Sequence, residues 1–265
     1  MAVYDIDGTI ISGGSSSNVG MFIPDVSPVS YDKACKGINH MGWTGGGAVA
    51  NSLAAYKASK ANGFYYVETD VRYTSDNVAI LYHDDYIDGT AVWNMTYDEV
   101  LAEVPSLATF DDFIKLCRDI CLHPYIEIKG NQTQAEINNL VDIVHKYQMQ
   151  NRSTYFGGNA SVQKVVSYDD CARVGILAWT VTSTDIQNIQ ALKTNTNDVF
   201  LDTYISYLTS EILTMVKTAG VPLEVWTFSV GSTAENEILN MDDYITGFTA
   251  NDKIAGKVLY DASIT

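Results

Sequence analysis

The chain has 265 residues, 46% of them hydrophobic and 18% charged, enough to bury one large core or two small ones. A formal net charge of −16 with no basic cluster argues against nucleic acid or an anionic membrane as a partner, since either would be repelled. No apolar run reaches spanning length, and the N-terminus lacks the basic start and apolar centre of a signal peptide, so a soluble protein, cytoplasmic or otherwise, without a transmembrane segment is expected.

The first motif is VYDIDGTI at residues 3–10, which resembles the D-x-D-G-T nucleophile motif of haloacid-dehalogenase-type phosphatases. In that family Asp5 would attack phosphorus and Asp7 would act as acid and base. The motif follows a buried strand and precedes a helix, whereas here only Val3 and Tyr4 stand before it and SGGSSSNVG comes after. An Asp-Gly turn between two short extended pieces accounts for the same letters. Residues 1–36, rich in Gly and Ser, are expected to be an extension, and residues 37–265 a single domain.

From residue 37 onward, short apolar runs alternate with helix-period segments. The runs are Gly37 to Met41, Tyr65 to Val71, Pro124 to Ile128, Ser153 to Gly157, Gly175 to Val181, Asp198 to Tyr204, Pro222 to Phe228 and Tyr244 to Thr249. Between them, sets such as Ile137, Leu140, Val141 and Val144 place apolar residues three and four apart on one helical face. Thr96 with Glu99 and Thr109 with Asp112 have capping-box spacing, and Gly63 and Gly220 stand where helix C-terminal caps belong. Cys117 and Cys121, four apart, are expected as two small core residues of one helix, and the four cysteines lack the paired spacing of a zinc site. Eight strands alternating with helices predict an α/β fold, a (β/α)8 TIM barrel, with an insertion after the second strand and an extra short strand at VAILYHDD.

In such a barrel the chemistry gathers at the C-terminal strand ends. Period-2 alternation turns Glu68 and Asp70 to one face and Glu127 and Lys129 likewise, so three carboxylates and one lysine are expected to meet in the mouth. Carboxylates that close repel one another, and a hard divalent cation, Mg2+ or Ca2+, resolves the repulsion with oxygen ligands. His40 ends the first run and His83 closes Val78 to Tyr82, both before tight polar turns, which suits a pair dividing general acid and base work. His123, at the far end of the barrel, and His145, on a helix, are expected to be structural or surface groups.

These landmarks, taken in order, carry a resemblance to the glycerophosphodiester phosphodiesterase family, within the phospholipase-C-like phosphodiesterase barrels. They stand here as His40-Met41-Gly42, Asn51-Ser52, Glu68-Thr69-Asp70, His83-Asp84, Glu127-Ile128-Lys129, Val225-Trp226-Thr227 and Thr249-Ala250-Asn251-Asp252. Met41 replaces the arginine that follows the first histidine in the family, and Ala50 replaces the glutamate of E-N-T. Methionine at that place is also found in sphingomyelinases D of the spider-toxin type, although HDD and EIKG resemble the glycerophosphodiesterases more closely.

The resemblance implies metal-dependent hydrolysis of a glycerophosphodiester to glycerol phosphate and an alcohol. Glu68, Asp70 and Glu127 would hold the cation, Lys129 would share the phosphate charge, and His40 and His83 would move protons. Trp226, with Trp179, would form an apolar wall beside the glycerol or its head group. The acidic chain favours a small deacylated substrate such as glycerophosphocholine or glycerophosphoethanolamine. Polyglycerolphosphate of the teichoic acid type, a sphingomyelinase-D-like lipid substrate, and a non-catalytic phosphodiester-binding barrel are the alternatives. Asp5→Ala is expected to leave turnover unchanged in a diesterase assay, because the turn that carries it imitates a phosphatase motif without its strand and helix.

Overall fold

The computed structural model describes residues 3–4, 10–12, 36–228 and 242–251. The chain divides into two units, Met1–Asp32 and Lys33–Thr265. In the first, Val3–Tyr4 and Ile10–Ser12 pair as antiparallel strands, the two extended pieces expected around the turn. Asp5 and Asp7 lie outside the described residues.

In the second unit eight strands pair in parallel: β1 (Lys36–Asn39), β2 (Tyr66–Tyr73), β3 (His123–Ile128), β4 (Thr154–Gly157), β5 (Arg173–Ala178), β6 (Val199–Tyr204), β7 (Leu223–Phe228) and β8 (Ile245–Ala250). β8 pairs with β1, and β1 with β2, which closes the sheet into the expected barrel. Each predicted apolar run overlaps one of these strands. The helices are α1 (Leu53–Ala61), α2 (Tyr97–Glu103), α3 (Phe110–Asp119), α4 (Gln134–Lys146), α5 (Asn159–Tyr168), α6 (Ser183–Leu192) and α7 (Ser210–Ala219). No described helix is long and apolar enough to cross a membrane.

Local chemistry sets the helix ends. Thr96 and Glu99 form the expected capping box on α2, and Thr109 caps α3 by accepting from the Asp112 amide. Gly220 ends α7 in the left-handed region, and Gly63, at φ +90°, follows the Asn62 cap of α1. The cysteine expectation needs correction. Cys117 is buried in α3, but Ile120 caps that helix and Cys121 lies beyond it, exposed, at φ +56°. The chain must turn there to enter β3, so position 121 leaves the helical face that the spacing implied.

Alternate residues of each strand fill the barrel in layers. The layer nearest the N-terminal end is charged: Arg173 Nη2 lies 2.7 Å from Glu224 Oε1, and the guanidinium stacks 4.3 Å from the centre of the Phe200 ring. Above it Ile38, Tyr125, Phe156 and Phe200 make an apolar plug. The larger apolar core lies outside the barrel, between strands and helices. The insertion after β2 begins with Ala79–Leu81, antiparallel to β2, and folds around its own small cluster of Ile80, Ile87, Val92, Met95 and Val100.

The plug fits because Gly175 leaves space for Phe200; a β-carbon at residue 175 would lie 2.2 Å from that ring. Gly175→Ala is therefore expected to destabilise the protein by about 1–3 kcal/mol, the usual cost of overpacking a rigid core. Denaturant unfolding at constant m-value measures it.

Candidate active site

The mouth of the barrel holds the predicted residues on strand ends and their loops. His40 follows β1, and its amide donates to the Ala250 carbonyl of β8 (2.9 Å). The chain then turns through Met41 (φ +51°) and Gly42 (φ +78°). A β-carbon on Gly42 would lie 2.8 Å from Ala55 Cβ, so both backbone conformation and packing demand glycine there. The turn aims the Met41 amide at Glu68 Oε2 (2.9 Å). His40 Nδ1 lies 2.6 Å from Asn251 Oδ1, an oxygen that can only accept, so Nδ1 carries the proton and Nε2 keeps a lone pair.

Glu68 and Asp70 both face inward from β2, as alternation requires, and are buried. Asn51 holds Asp70: its Nδ2 donates to Asp70 Oδ2 (2.8 Å) while its own Oδ1 accepts from Tyr56 Oη (2.8 Å) and Thr69 Oγ1 (3.1 Å). Glu127 and Lys129 project from the end of β3. Lys129 Nζ sits 2.7 Å from Glu127 Oε1 and 2.9 Å from Asp70 Oδ1. The Asp70 contact is an ion pair by distance, without the angle of a hydrogen bond, and Glu68 Oε1 is buried with no hydrogen-bond partner among the described residues.

Burial first, then the charges of Asp70 and Glu127, hold the Glu68 carboxyl well above the usual range. Burial also raises Glu127, against the opposing pull of Lys129. Lys129 itself is raised: burial works against its charge, but Asp70 and Glu127 together outweigh that. One oxygen from each of Glu68, Asp70 and Glu127 lies within 4.8 Å of the others. An oxygen-only donor set, packed by like charge and with one oxygen unpartnered, fits a hard divalent cation such as Mg2+ or Ca2+.

His83 stands on the loop after Ala79–Leu81. Arg72, two residues beyond Asp70 on β2, clamps that loop: its Nε and Nη2 donate to the His83 carbonyl (3.2 and 2.7 Å), and Nη2 reaches Asp85 Oδ1 at 2.7 Å. His83 Nδ1 lies 2.7 Å from Asp84 Oδ1. The Arg72 clamp was not foreseen. In sequence it is one more arginine on a strand, and only the insertion folding back makes it a loop anchor.

A cavity of about 400 Å3 joins these groups; His40, Glu68, His83, Glu127, Lys129 and Trp226 all line it, and Asp70 lies behind Lys129. His123 and His145 are elsewhere: His123 opens β3 against Tyr66, and burial lowers its imidazole to about 4, while His145 pairs with Asp169 on the surface. Burial also lowers His40, against the Asn251 hydrogen bond, so its imidazole is neutral at neutral pH. The remaining wall carries Trp179, Asp202 and Trp226. Trp226 Nε1 and Asp202 Oδ1 are buried with no hydrogen-bond partner among the described residues.

A model of the glycerophosphoryl diester phosphodiesterase family matches residues 40–238. No curated protein matches the chain. Among solved structures, the chain is similar to a glycerophosphodiester phosphodiesterase from Parabacteroides distasonis, with 22% identity and TM-score 0.72 over 87% of this chain and 99% of that one. It is similar also to an Oleispira antarctica phosphodiesterase in complex with the product sn-glycerol-3-phosphate, with 16% identity and TM-score 0.73 over 86% and 97%. A Thermotoga maritima glycerophosphodiester phosphodiesterase is 16% identical, with TM-score 0.64 over 87% and 98%. At these identities the likeness is one of fold.

Asp202 gives the site a measurable signature. Burial, reinforced by Glu224 and Glu127, raises its carboxyl well above the usual value. An acid raised on folding contributes stability below its unfolded pKa and loses that contribution as pH rises through the folded pKa. Asp202→Asn removes that titration, so the difference in Tm between variant and wild type should move in the variant's favour as pH rises above the usual carboxylate range, read by calorimetry.

Proposed function

The chain belongs to the glycerophosphoryl diester phosphodiesterase family, and from that premise we propose that it hydrolyses a glycerophosphodiester to glycerol phosphate and an alcohol. The observation that carries this reading is one cavity wall where His40, His83 and Lys129 stand beside the Glu68, Asp70 and Glu127 cluster. A binding barrel needs a cation for the phosphate; it has no use for two oriented imidazoles.

Glu68, Asp70 and Glu127 are the residues that would hold the metal ion. When bound, Mg2+ or Ca2+ supplies Lewis-acid polarisation of the phosphoryl group and charge neutralisation. Lys129 is the one lysine or arginine among the described residues lining the cavity, and it counters the negative charge that grows on phosphate oxygen. Met41 leaves no guanidinium to share that work, so the phosphate is held by an ammonium rather than by a bidentate fork.

His40 is the general base. Its Nδ1 proton is given to Asn251, its ring is neutral, and its Nε2 accepts a proton from the attacking hydroxyl, that of water or of the substrate's own glycerol. His83 is the general acid that protonates the departing alkoxide; Asp84 and the Arg72 clamp fix its ring and its loop. Trp226 Nε1, buried without an acceptor among the described residues, donates to a hydroxyl or phosphate oxygen of the substrate.

The test is a panel of glycerophosphodiesters assayed for glycerol 3-phosphate, with and without EDTA. Turnover that EDTA abolishes and added Mg2+ or Ca2+ restores is expected, and turnover untouched by EDTA would remove the metal from the proposal. His40→Ala and His83→Ala should each lower kcat by roughly 10² to 10⁴ with Tm and metal-induced stabilisation intact. The double variant should lose far less than the product, since the two act as one unit. Near wild-type kcat in either single variant would refute its assigned role.

A further inference from the structure

Outside the barrel, where α4 and α5 end, a second set of ligating side chains comes together. His145 stands in the last turn of α4, and Asp169, Asp170 and Cys171 form the turn between α5 and β5. His145 Nε2 lies 2.8 Å from Asp169 Oδ2, and the Cys171 thiol donates to Asp170 Oδ1 at 3.5 Å. The Cys171 amide donates to Asp169 Oδ1 at 3.0 Å, which folds the turn. One ligand atom from each of Asp169, Asp170 and Cys171 lies within 4.8 Å of the others. Asp142, one turn before His145 on α4, adds a third carboxylate, which accepts from Tyr168 Oη at 2.9 Å. Among the described residues His145 is the one basic side chain paired with any of these three acids.

Beneath the turn lies a buried donor without an acceptor. Thr154 bonds Arg173 inside the barrel and Phe156 belongs to the apolar plug, so strand alternation turns Tyr155 outward, toward the helices. Tyr155 is 2% exposed, and its Oη has no hydrogen-bond partner among the described residues. Burial, and after it the charges of Asp169 and Asp142, push that hydroxyl well above its ordinary value, so it keeps its proton and faces those two acids. An unpaired buried hydroxyl costs stability, yet Asp169 already directs Oδ2 to His145 and Oδ1 to the Cys171 amide.

We propose that His145, Asp169, Asp170 and Cys171 bind a divalent transition-metal ion of the Zn2+ class, with Tyr155 as the donor behind it, at a site separate from the carboxylate cluster of the mouth and independent of the diesterase reading. The donor set selects the ion: imidazole, thiolate and carboxylate together suit Zn2+, whereas Mg2+ and Ca2+ take oxygen. One thiolate suffices here, because the imidazole and the two carboxylates complete four ligands. Two ligands of a tetrahedral Zn2+ stand roughly 3.3 to 3.8 Å apart. The Cys171–Asp170 pair already has that separation. His145 and Asp169 must open by about half an ångström, which a half-exposed imidazole at a helix end allows. Binding releases the thiol proton to solvent and leaves His145 ligating through Nε2 with its proton on Nδ1. Ligating carboxylates are themselves held by hydrogen bonds, and Tyr155 Oη supplies that donor to Asp169. The ion then ties α4 to the α5–β5 turn.

The test uses the whole reduced chain and the metal alone. Zn2+ is titrated in competition with a chromogenic chelator, in excess Mg2+, and Co2+ serves as a spectroscopic probe of thiolate ligation. A dissociation constant at least tenfold higher in Cys171→Ser and in His145→Ala, and about tenfold higher in Tyr155→Phe, is expected. A sulfur-to-cobalt charge-transfer band should appear in the wild type and vanish in Cys171→Ser. Zn2+ should raise the Tm of the wild type more than that of either exposed-residue variant. Binding at the mouth alone predicts the opposite pattern, since none of these substitutions touches it. Equal Zn2+ affinity in the wild type, Cys171→Ser and His145→Ala, or a Co2+ complex without the thiolate band, overturns the site.

Discussion

The mouth of this barrel is organised around an electrostatic constraint: Glu68, Asp70 and Glu127 are forced to share one small volume. Strand alternation leaves no choice in the matter, because residues 68 and 70 are two apart on β2 and Glu127 is paired in register with Asp70. Three carboxylates that close cannot all ionise cheaply in a partly dry site. Each surrounding feature reduces that cost. Asn51 and the Met41 amide donate to two of the acids, and Lys129 contacts two. What stays uncompensated is Glu68 Oε1, and a bound cation would complete the set. The His-Met-Gly turn, the Asn51 entry to α1 and the lysine two residues past Glu127 all serve the same three acids.

The two ends of the barrel handle buried charge in opposite ways. At the N-terminal end, Glu224 meets Arg173 and Lys36, and Arg173 also bonds Tyr125 and Thr154 and stacks on Phe200. That layer is saturated: every formal charge has a partner, as structural burial demands. At the mouth, Glu68 and Asp202 each keep an oxygen without one. Between the ends lies the apolar plug of Ile38, Tyr125, Phe156 and Phe200, which separates the saturated layer from the reactive one. Among the described residues, the buried carboxylate oxygens without a hydrogen-bond partner thus lie at the mouth, beside the cavity.

Much of this was legible in the sequence, for a physical reason. Period-2 alternation fixes which way Glu68, Asp70, Glu127 and Lys129 point once their segments are strands, and the barrel rule fixes which end they occupy. His40 and His83 could be placed because each ends an apolar run, and strand ends are where loops converge. What could not be read depended on contacts between segments far apart in the chain. Arg72 anchors the His83 loop only because the insertion folds back along β2. Asn251 sets the tautomer of His40 only because β8 closes beside β1. Asp202 looked like any strand acid; its lack of a partner follows from Arg173 and Lys129 being already paired with Glu224 and Glu127. Cys121 failed for a local reason, a helix whose last residue, Asp119, falls two positions short of it.

Met41 joins these strands of argument. Its backbone is fully used: the amide donates to Glu68, the carbonyl accepts from the Asn51 amide at 2.8 Å, and φ is positive. The turn therefore makes its demands on the main chain at position 41, and the side chain is free to differ from the family's arginine without disturbing the carboxylates. Losing the guanidinium does change the electrostatics. On the proposed diesterase reading a second fixed cation would hold the phosphate apart from the acid cluster, whereas Lys129, which contacts two of the carboxylates, would have to serve both. Anything that neutralises Asp70 or Glu127 releases Lys129 toward the anion, and anything that draws Lys129 away exposes the two acids to one another. On the proposed diesterase reading, occupancy of the carboxylate cluster and affinity for the phosphate would be coupled through a single ammonium group. In this chain the coupling falls on one side chain because the backbone, and not residue 41's side chain, holds the turn.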